Sequence, residues 1–238
     1  MELIPVIDIL HGRAVRARRG ERAAYQPLQS ALCPSSDCFA AVAAFLDVHP
    51  FTALYIADLD AIQGHGDNAA LIEKLHLGYP QLALWVDAGI ADLPTYSKWQ
   101  ASHVGHAVIG SESNPAPELV LQLCNEGVTP FPLLSLDFRE ADFVGSPQLL
   151  DMPQRWPQHV IAMTLARVGS GLGPDFGRLE ALRRRTPRTR LYAAGGVRDT
   201  ADLRRLKALG VGGALLASAL HDRTISAADI RALANAAA

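Results

Sequence analysis

Eight short apolar runs punctuate this chain, and none of them alternates cleanly between apolar and polar residues. They are "LIPVID" (3–8), "ALYIADLD" (53–60), "LALWVDAG" (82–89), "HAVIGS" (106–111), "FPLLSLDF" (131–138), "VIAMTL" (160–165), "RLYAAGG" (190–196) and "GALLAS" (213–218). A strand with one wet face alternates; a continuous apolar run suits a strand covered on both faces, as in a parallel sheet with helical crossovers. Amphipathic stretches at helical spacing lie between the runs, among them "NAALIEKLH", "FGRLEALRRR" and "TADLRRLKAL". Thr200 is expected to cap the last of these and Gly210 to stop it. No Pro/Ser-rich linker divides the chain. Eight strand–helix units in 238 residues therefore predict an α/β protein, a single (β/α)8 barrel over residues 1–238, rather than an open doubly wound sheet.

An internal comparison sharpens this. Residues 88–111 lie on residues 195–218 without a gap, and seven of 24 positions are identical, including Gly89/Gly196, Asp92/Asp199, Gly105/Gly212 and Ser111/Ser218. Chance gives roughly one or two at ordinary residue frequencies. The same offset of 107 matches Gly64 to Gly171 and Glu73 to Glu180. Two half-barrels, each a copy of the other, are the expected construction.

Composition narrows the functional classes. The chain is 49% hydrophobic with a formal net charge of −2, which offers no electrostatic reason to expect nucleic acid or a membrane surface. The N-terminal run "LIPVIDIL" contains Asp8 and is too short for a membrane span or a secretory leader. Cys33, Cys38 and Cys124 have no metal-ligand spacing and read as free thiols of a cytoplasmic protein. His11, His65 and His106 are scattered, so no metal is assigned, and no cofactor. Oligomeric state is not legible here.

In a barrel the active face lies at the C-terminal ends of the strands. Gly89 ends the third predicted strand, Gly110 and Ser111 the fourth, Gly195 and Gly196 the seventh, and Ser218 the eighth. Glycine lets backbone N–H groups approach an anion, a helix start adds a positive dipole end, and serine adds a donor. Two phosphate sites on opposite sides of the mouth follow, the Gly195–Gly196–Ser218 site being the stronger, because Asp87 would repel a phosphate beside Gly89. A small phosphorylated molecule is the expected partner.

Two apolar strands end in a lone aspartate: Asp8 in "IPVID" and Asp137 in "LLSLD". Facing carboxylates in different environments can divide base and acid work. Asp58 and Asp60 end the second strand at positions that share a face of a regular strand. One of them is expected either to reach the mouth or to hydrogen-bond at its rim.

The stretches "LIPVIDILHGRAVR", "DLDAIQGHGDN", "SLDF", "AGGVRDTADLRRL" and "GVGGALLASAL" resemble the HisA/HisF barrels of histidine biosynthesis over nearly the whole chain. HisA isomerises a phosphoribosyl-formimino carboxamide ribotide in an Amadori rearrangement. The resemblance implies Asp8 as general base, Asp137 as the strand-5 aspartate, Thr164 as the strand-6 threonine, and Gly195, Gly196 and Ser218 as phosphate-binding turns. It also has departures. Leu165 and Val168 stand where the family's strand 6 carries aspartates, and "DAGIA" replaces a glycine-rich strand-3 end with an arginine. The pattern is similar to an uncharacterised HisA-like group associated with tetrahydromethanopterin-linked one-carbon metabolism. What this implies is an isomerase or ring-opening enzyme on a ribose-phosphate conjugate. The alternatives are a histidine-pathway isomerase and a phosphate-binding barrel without catalysis.

Overall fold

The computed structural model describes residues 1–113, 115–116, 119–120, 122 and 129–235; Cys124 lies outside them. Its strands are β1 (Glu2–Leu10), β2 (Arg13–Arg16), β3 (Gln26–Pro27), β4 (Ala53–Asp58), β5 (Ala83–Asp87), β6 (His106–Gly110), β7 (Leu133–Arg139), β8 (Asp142–Val144), β9 (His159–Thr164), β10 (Arg190–Ala194) and β11 (Gly213–Leu216). Eight of them run parallel in the order β1, β4, β5, β6, β7, β9, β10, β11, and β11 pairs back with β1. The sheet is closed. Helices Cys38–Val48, Ala69–Gly78, Leu93–Ser102, Phe176–Arg185 and Thr200–Ala208 cover its outside. The eight apolar runs are the eight barrel strands.

The twofold construction appears in the registers. Val108 of β6 pairs Leu133 of β7 as Leu215 of β11 would pair Ile4 of β1, and it does. In the β1–β2 hairpin Asp8 opposes Val15, and in the β7–β8 hairpin Asp137 opposes Val144. Asp92 caps the helix Leu93–Ser102 by accepting from Thr95 N–H at 2.8 Å, and its repeat-mate Asp199 caps Thr200–Ala208 by accepting from Ala201 and Asp202 N–H. The expected cap, Thr200, is instead the first helical residue; a carboxylate one position earlier reaches two free N–H groups at once. One residue of slip also emerges. Ala53 pairs Ala83, whereas His159 pairs Arg190, so at β4 and β9 the offset is 106, and Asp58 is the counterpart of Thr164.

Alternate residues of each strand fill the interior. Ile4, Tyr55, Trp85, Val108, Leu133, Ile161, Tyr192 and Leu215 belong to one buried cluster inside the barrel. Trp85 and its repeat-mate Tyr192 meet edge to face, ring centroids 4.9 Å apart, an arrangement favoured by the ring quadrupoles. The intervening residues, such as Ile7, Leu54, Ile56, Leu134 and Leu136, pack outward against the helices. Both faces are thus apolar, as the runs required.

Candidate active site

Above the aromatic floor a cavity of about 430 Å³ opens at the C-terminal ends of the strands. The inward parity that selects Ile4, Tyr55 and Trp85 places Asp8, Ala57, Asp87, Asp137, Met163, Ala194 and Ala217 in its lining. Asp8 and Asp137 arise from strands four apart in the ring, hence on opposite walls. The loop between β2 and β3 roofs the cavity: Arg19 N–H donates to Val168 O at 2.8 Å, and a Cβ at Gly169 would lie 2.6 Å from Ala17 O.

The carboxyls differ in surroundings. Burial pushes Asp8 up to about 7, with the Arg22 guanidinium pulling it back. Burial pushes Asp137 up to about 6. Hydrogen bonds from Ser135 Oγ at 2.7 Å, Glu112 N–H at 3.0 Å and Ser111 Oγ at 3.1 Å hold it from rising further. Asp87 is pushed up to about 8, by burial first and by the charge of Asp137 second. Hydrogen bonds to a carboxylate favour its charged form, whereas burial and like charges disfavour it. Tyr55, also lining the cavity, is held protonated by burial and by the three aspartates around it. Asp87, Tyr55, Arg22 and Glu112 are site residues that sequence reasoning did not assign. Asp87 becomes legible once the phase of the strands is known, since positions 83, 85 and 87 share the inward parity of β5.

Gly195 and Gly196 line the β10 side of the same cavity with Ser218. Gly195 has φ +95°, and a Cβ there would lie 2.6 Å from Thr164 O; at Gly196, φ +91°, it would lie 2.4 Å from Gly173 O. No other residue fits these two positions. The Ser218 hydroxyl has no hydrogen-bond partner among the described residues. Arg198 stands on this rim, its guanidinium held by Asp202 at 2.9 and 2.8 Å.

The remaining sequence-named residues lie elsewhere. Gly89, Gly110 and Ser111 are not in the cavity lining. Ser111 is fully buried and spends its hydroxyl on Asp137 and on Val144 O at 2.7 Å. Thr164, outward by parity, accepts from Arg178 Nη1 at 3.5 Å. Asp58 and Asp60 do not share a strand face, because β4 stops at Asp58 and Asp60 lies in the short helix Leu59–Ile62. Both converge on Asn68: its Nδ2 donates to Asp58 Oδ1 at 2.6 Å and to Asp60 Oδ2 at 2.8 Å, while its N–H donates to Asp58 Oδ2 at 2.7 Å. Asp60 also accepts from His11 N–H at 2.7 Å, and Asn68 Oδ1 from Gly12 N–H at 2.9 Å. This is a latch between the β1–β2 turn and β4, placed at the rim. Cys33 and Cys38 are buried, unpaired thiols. No described helix is long and apolar enough to cross a membrane.

A family model described as "Histidine biosynthesis protein" matches residues 2–226. One relative is the 1-(5-phosphoribosyl)-5-((5-phosphoribosylamino)methylideneamino) imidazole-4-carboxamide isomerase of Azotobacter vinelandii, 27% identical and covering 98% of each chain. The isomerase of the same name from Thioalkalivibrio sulfidiphilus is 28% identical over 99% of this chain and 100% of its own. An uncharacterized protein of Methanocaldococcus jannaschii is 28% identical over 97% of each.

Proposed function

The chain belongs to the histidine biosynthesis protein family, and on that footing we propose that it is an isomerase or ring-opening enzyme acting on a ribose-phosphate conjugate. The observation that carries this reading is the placement of Asp8 and Asp137 at equivalent hairpin positions on opposite walls of one cavity. Gly195, Gly196 and Ser218 are proposed to grip the phosphate.

Asp8 takes the proton from C2 of the ribose and Asp137 gives a proton to the ring oxygen. As the C1–O4 bond breaks, the lone pair of the attached nitrogen forms a C1=N bond. Loss of the C2 proton then yields an enaminol, which tautomerises to a 1-amino-1-deoxy-ketose. Atoms and electrons are conserved throughout, so the step needs no oxidant and no cofactor. Asp87 supports the acid role. Two like charges so close disfavour double ionisation, so the Asp87–Asp137 pair retains a proton at neutral pH and titrates as a unit. Asp8, facing Arg22 rather than a second aspartate, is the group left to act as base.

The β9 wall favours a flat or apolar group on the nitrogen. Met163, Leu165 and Val168 line it, and an apolar surface leaves unpaired any polar group placed against it, at a cost of about 1–3 kcal/mol each. A ribose phosphate joined at C1 to the nitrogen of an aryl amine is one substrate of this class, and we favour it over the imidazole carboxamide named for the relatives. Incubating the protein with a panel of ribose-phosphate conjugates and looking for an isomeric product by mass spectrometry tests the reading. Turnover of none of them by a well-folded preparation would leave a binding barrel without chemistry.

A further inference from the structure

The two repeat-related rims of the mouth are chemically opposed. At the β10–β11 rim, positions 194 and 219 are alanines; at the β5–β6 rim their counterparts at the offset of 107 are Asp87 and Glu112. The Ser218 hydroxyl has no partner among the described residues, whereas Ser111 is buried against Asp137 and Val144. Asp87 is 4% exposed and lines the cavity. Its Oδ1 accepts from Gly89 N–H at 3.1 Å. Its Oδ2 has no hydrogen-bond partner among the described residues and stands over Gly110, where a Cβ would lie 2.9 Å from it. The guanidinium on this rim, Arg22, is paired with Glu112 at 2.5 Å. That pair leaves Arg22 only a weak pull on Asp87.

We propose that the β5–β6 rim receives an uncharged or cationic hydrogen-bond donor, an amine or a hydroxyl, and rejects phosphate, so that the substrate carries one phosphate only. The inference rests on the reading that Gly195, Gly196 and Ser218 grip a phosphate and extends it to the substrate's far end. The unpartnered Asp87 oxygen accepts from a donor group, and the one negative charge that the Asp87–Asp137 pair keeps at neutral pH repels an anion that the glycine-rich rim would welcome. The relatives' isomerases are named for a compound with two phosphoribosyl groups; Asp87 and Glu112 exclude the second.

Titration calorimetry with three probes tests this. They are ribose 5-phosphate, 5-amino-1-(5-phosphoribosyl)imidazole-4-carboxamide with its one phosphate and free amine, and the relatives' two-phosphoribosyl compound. The protein should bind the one-phosphate amine about tenfold more tightly than the two-phosphate compound. At pH 9, where both carboxyls of the Asp87–Asp137 pair are ionised, Asp87→Asn, which keeps the shape and removes one of the two charges, should tighten only the two-phosphate compound, by about tenfold. Glu112→Gln should act in the same direction and serves if the first variant does not fold. Tighter binding of the two-phosphate compound to the unmodified protein, or an unchanged ratio in both variants, overturns the inference alone. Failure to bind even ribose 5-phosphate overturns the phosphate reading and the inference with it.

Discussion

Asp87 and Asp137 meet over the Cα of Gly110: a side-chain carbon there would lie 2.9 Å from Asp87 Oδ2 and 3.5 Å from Asp137 Oδ2. Position 110 is glycine because two carboxyls from neighbouring walls occupy the space a side chain would take. Any larger residue would push one of them out of the cavity.

The pair sets a pH dependence. Asp8, raised to about 7, must be ionised to act as base, so activity should rise as pH climbs through that value. The acid must keep its proton, and Asp87, raised to about 8, marks where the pair loses it. A bell with limbs near these two values is the expected kcat/KM profile. Asp87→Asn should move the alkaline limb toward acid, because Asp137 alone is raised only to about 6. An alkaline limb that stays in place would remove Asp87 from the proton inventory.

Stability should respond to the same group. Asp87 binds its proton more tightly in the folded chain than in the unfolded one, so between the ordinary value of 3.8 and about 8 the native state holds the extra proton. Stability then falls as pH rises through that window. Asp87→Asn should gain little at pH 4 and most above pH 8, read as a difference in urea midpoint that widens with pH.

The rim latch predicts the opposite division of effects. Asn68→Ala removes two of the hydrogen bonds to the carboxyls of Asp58 and Asp60, together with the one that Asn68 Oδ1 accepts from Gly12 N–H, and Asp58 is 1% exposed. A buried acceptor left unpaired costs about 1–3 kcal/mol, more when charged. Thermal unfolding should shift down by several degrees while the activity per folded molecule changes little, since neither aspartate lines the cavity. A variant of unchanged stability would mean that the latch holds nothing.

Much of this was legible beforehand, and the gaps have a physical cause. Eight apolar runs and a repeat gave the closed barrel, and Asp8 and Asp137 stood out as single carboxylates on otherwise apolar strands. In strands buried on both faces, however, hydrophobicity does not say which parity points inward. Asp58 and Thr164 therefore looked as eligible as Asp87, and Asp87 was weighed only as a hindrance to phosphate. Closing the ring settles the phase for every strand together. Arg22 had no local signal at all, because a loop residue joins the site only when its loop folds over the mouth.

Leu165 and Val168 in the cavity lining predict weak activity in the relatives' reaction. Expression in a histidine auxotroph that lacks the isomerase should give poor growth or none. Robust growth would show that the β9 carboxylates are dispensable and would restore the histidine-pathway assignment.

The central claim is that Asp8 removes a proton from the carbon next to the anomeric centre of a ribose-phosphate conjugate. Running the conjugate panel in heavy water, with the unmodified protein and with Asp8→Asn, measures it directly. A carboxylate base of this kind contributes on the order of 10²–10⁴-fold in rate. The unmodified protein should form an isomeric product that has taken deuterium from solvent, and Asp8→Asn should form at least about 100-fold less of it while binding ribose 5-phosphate as before. Equal rates of deuterated product from the two proteins would contradict the account.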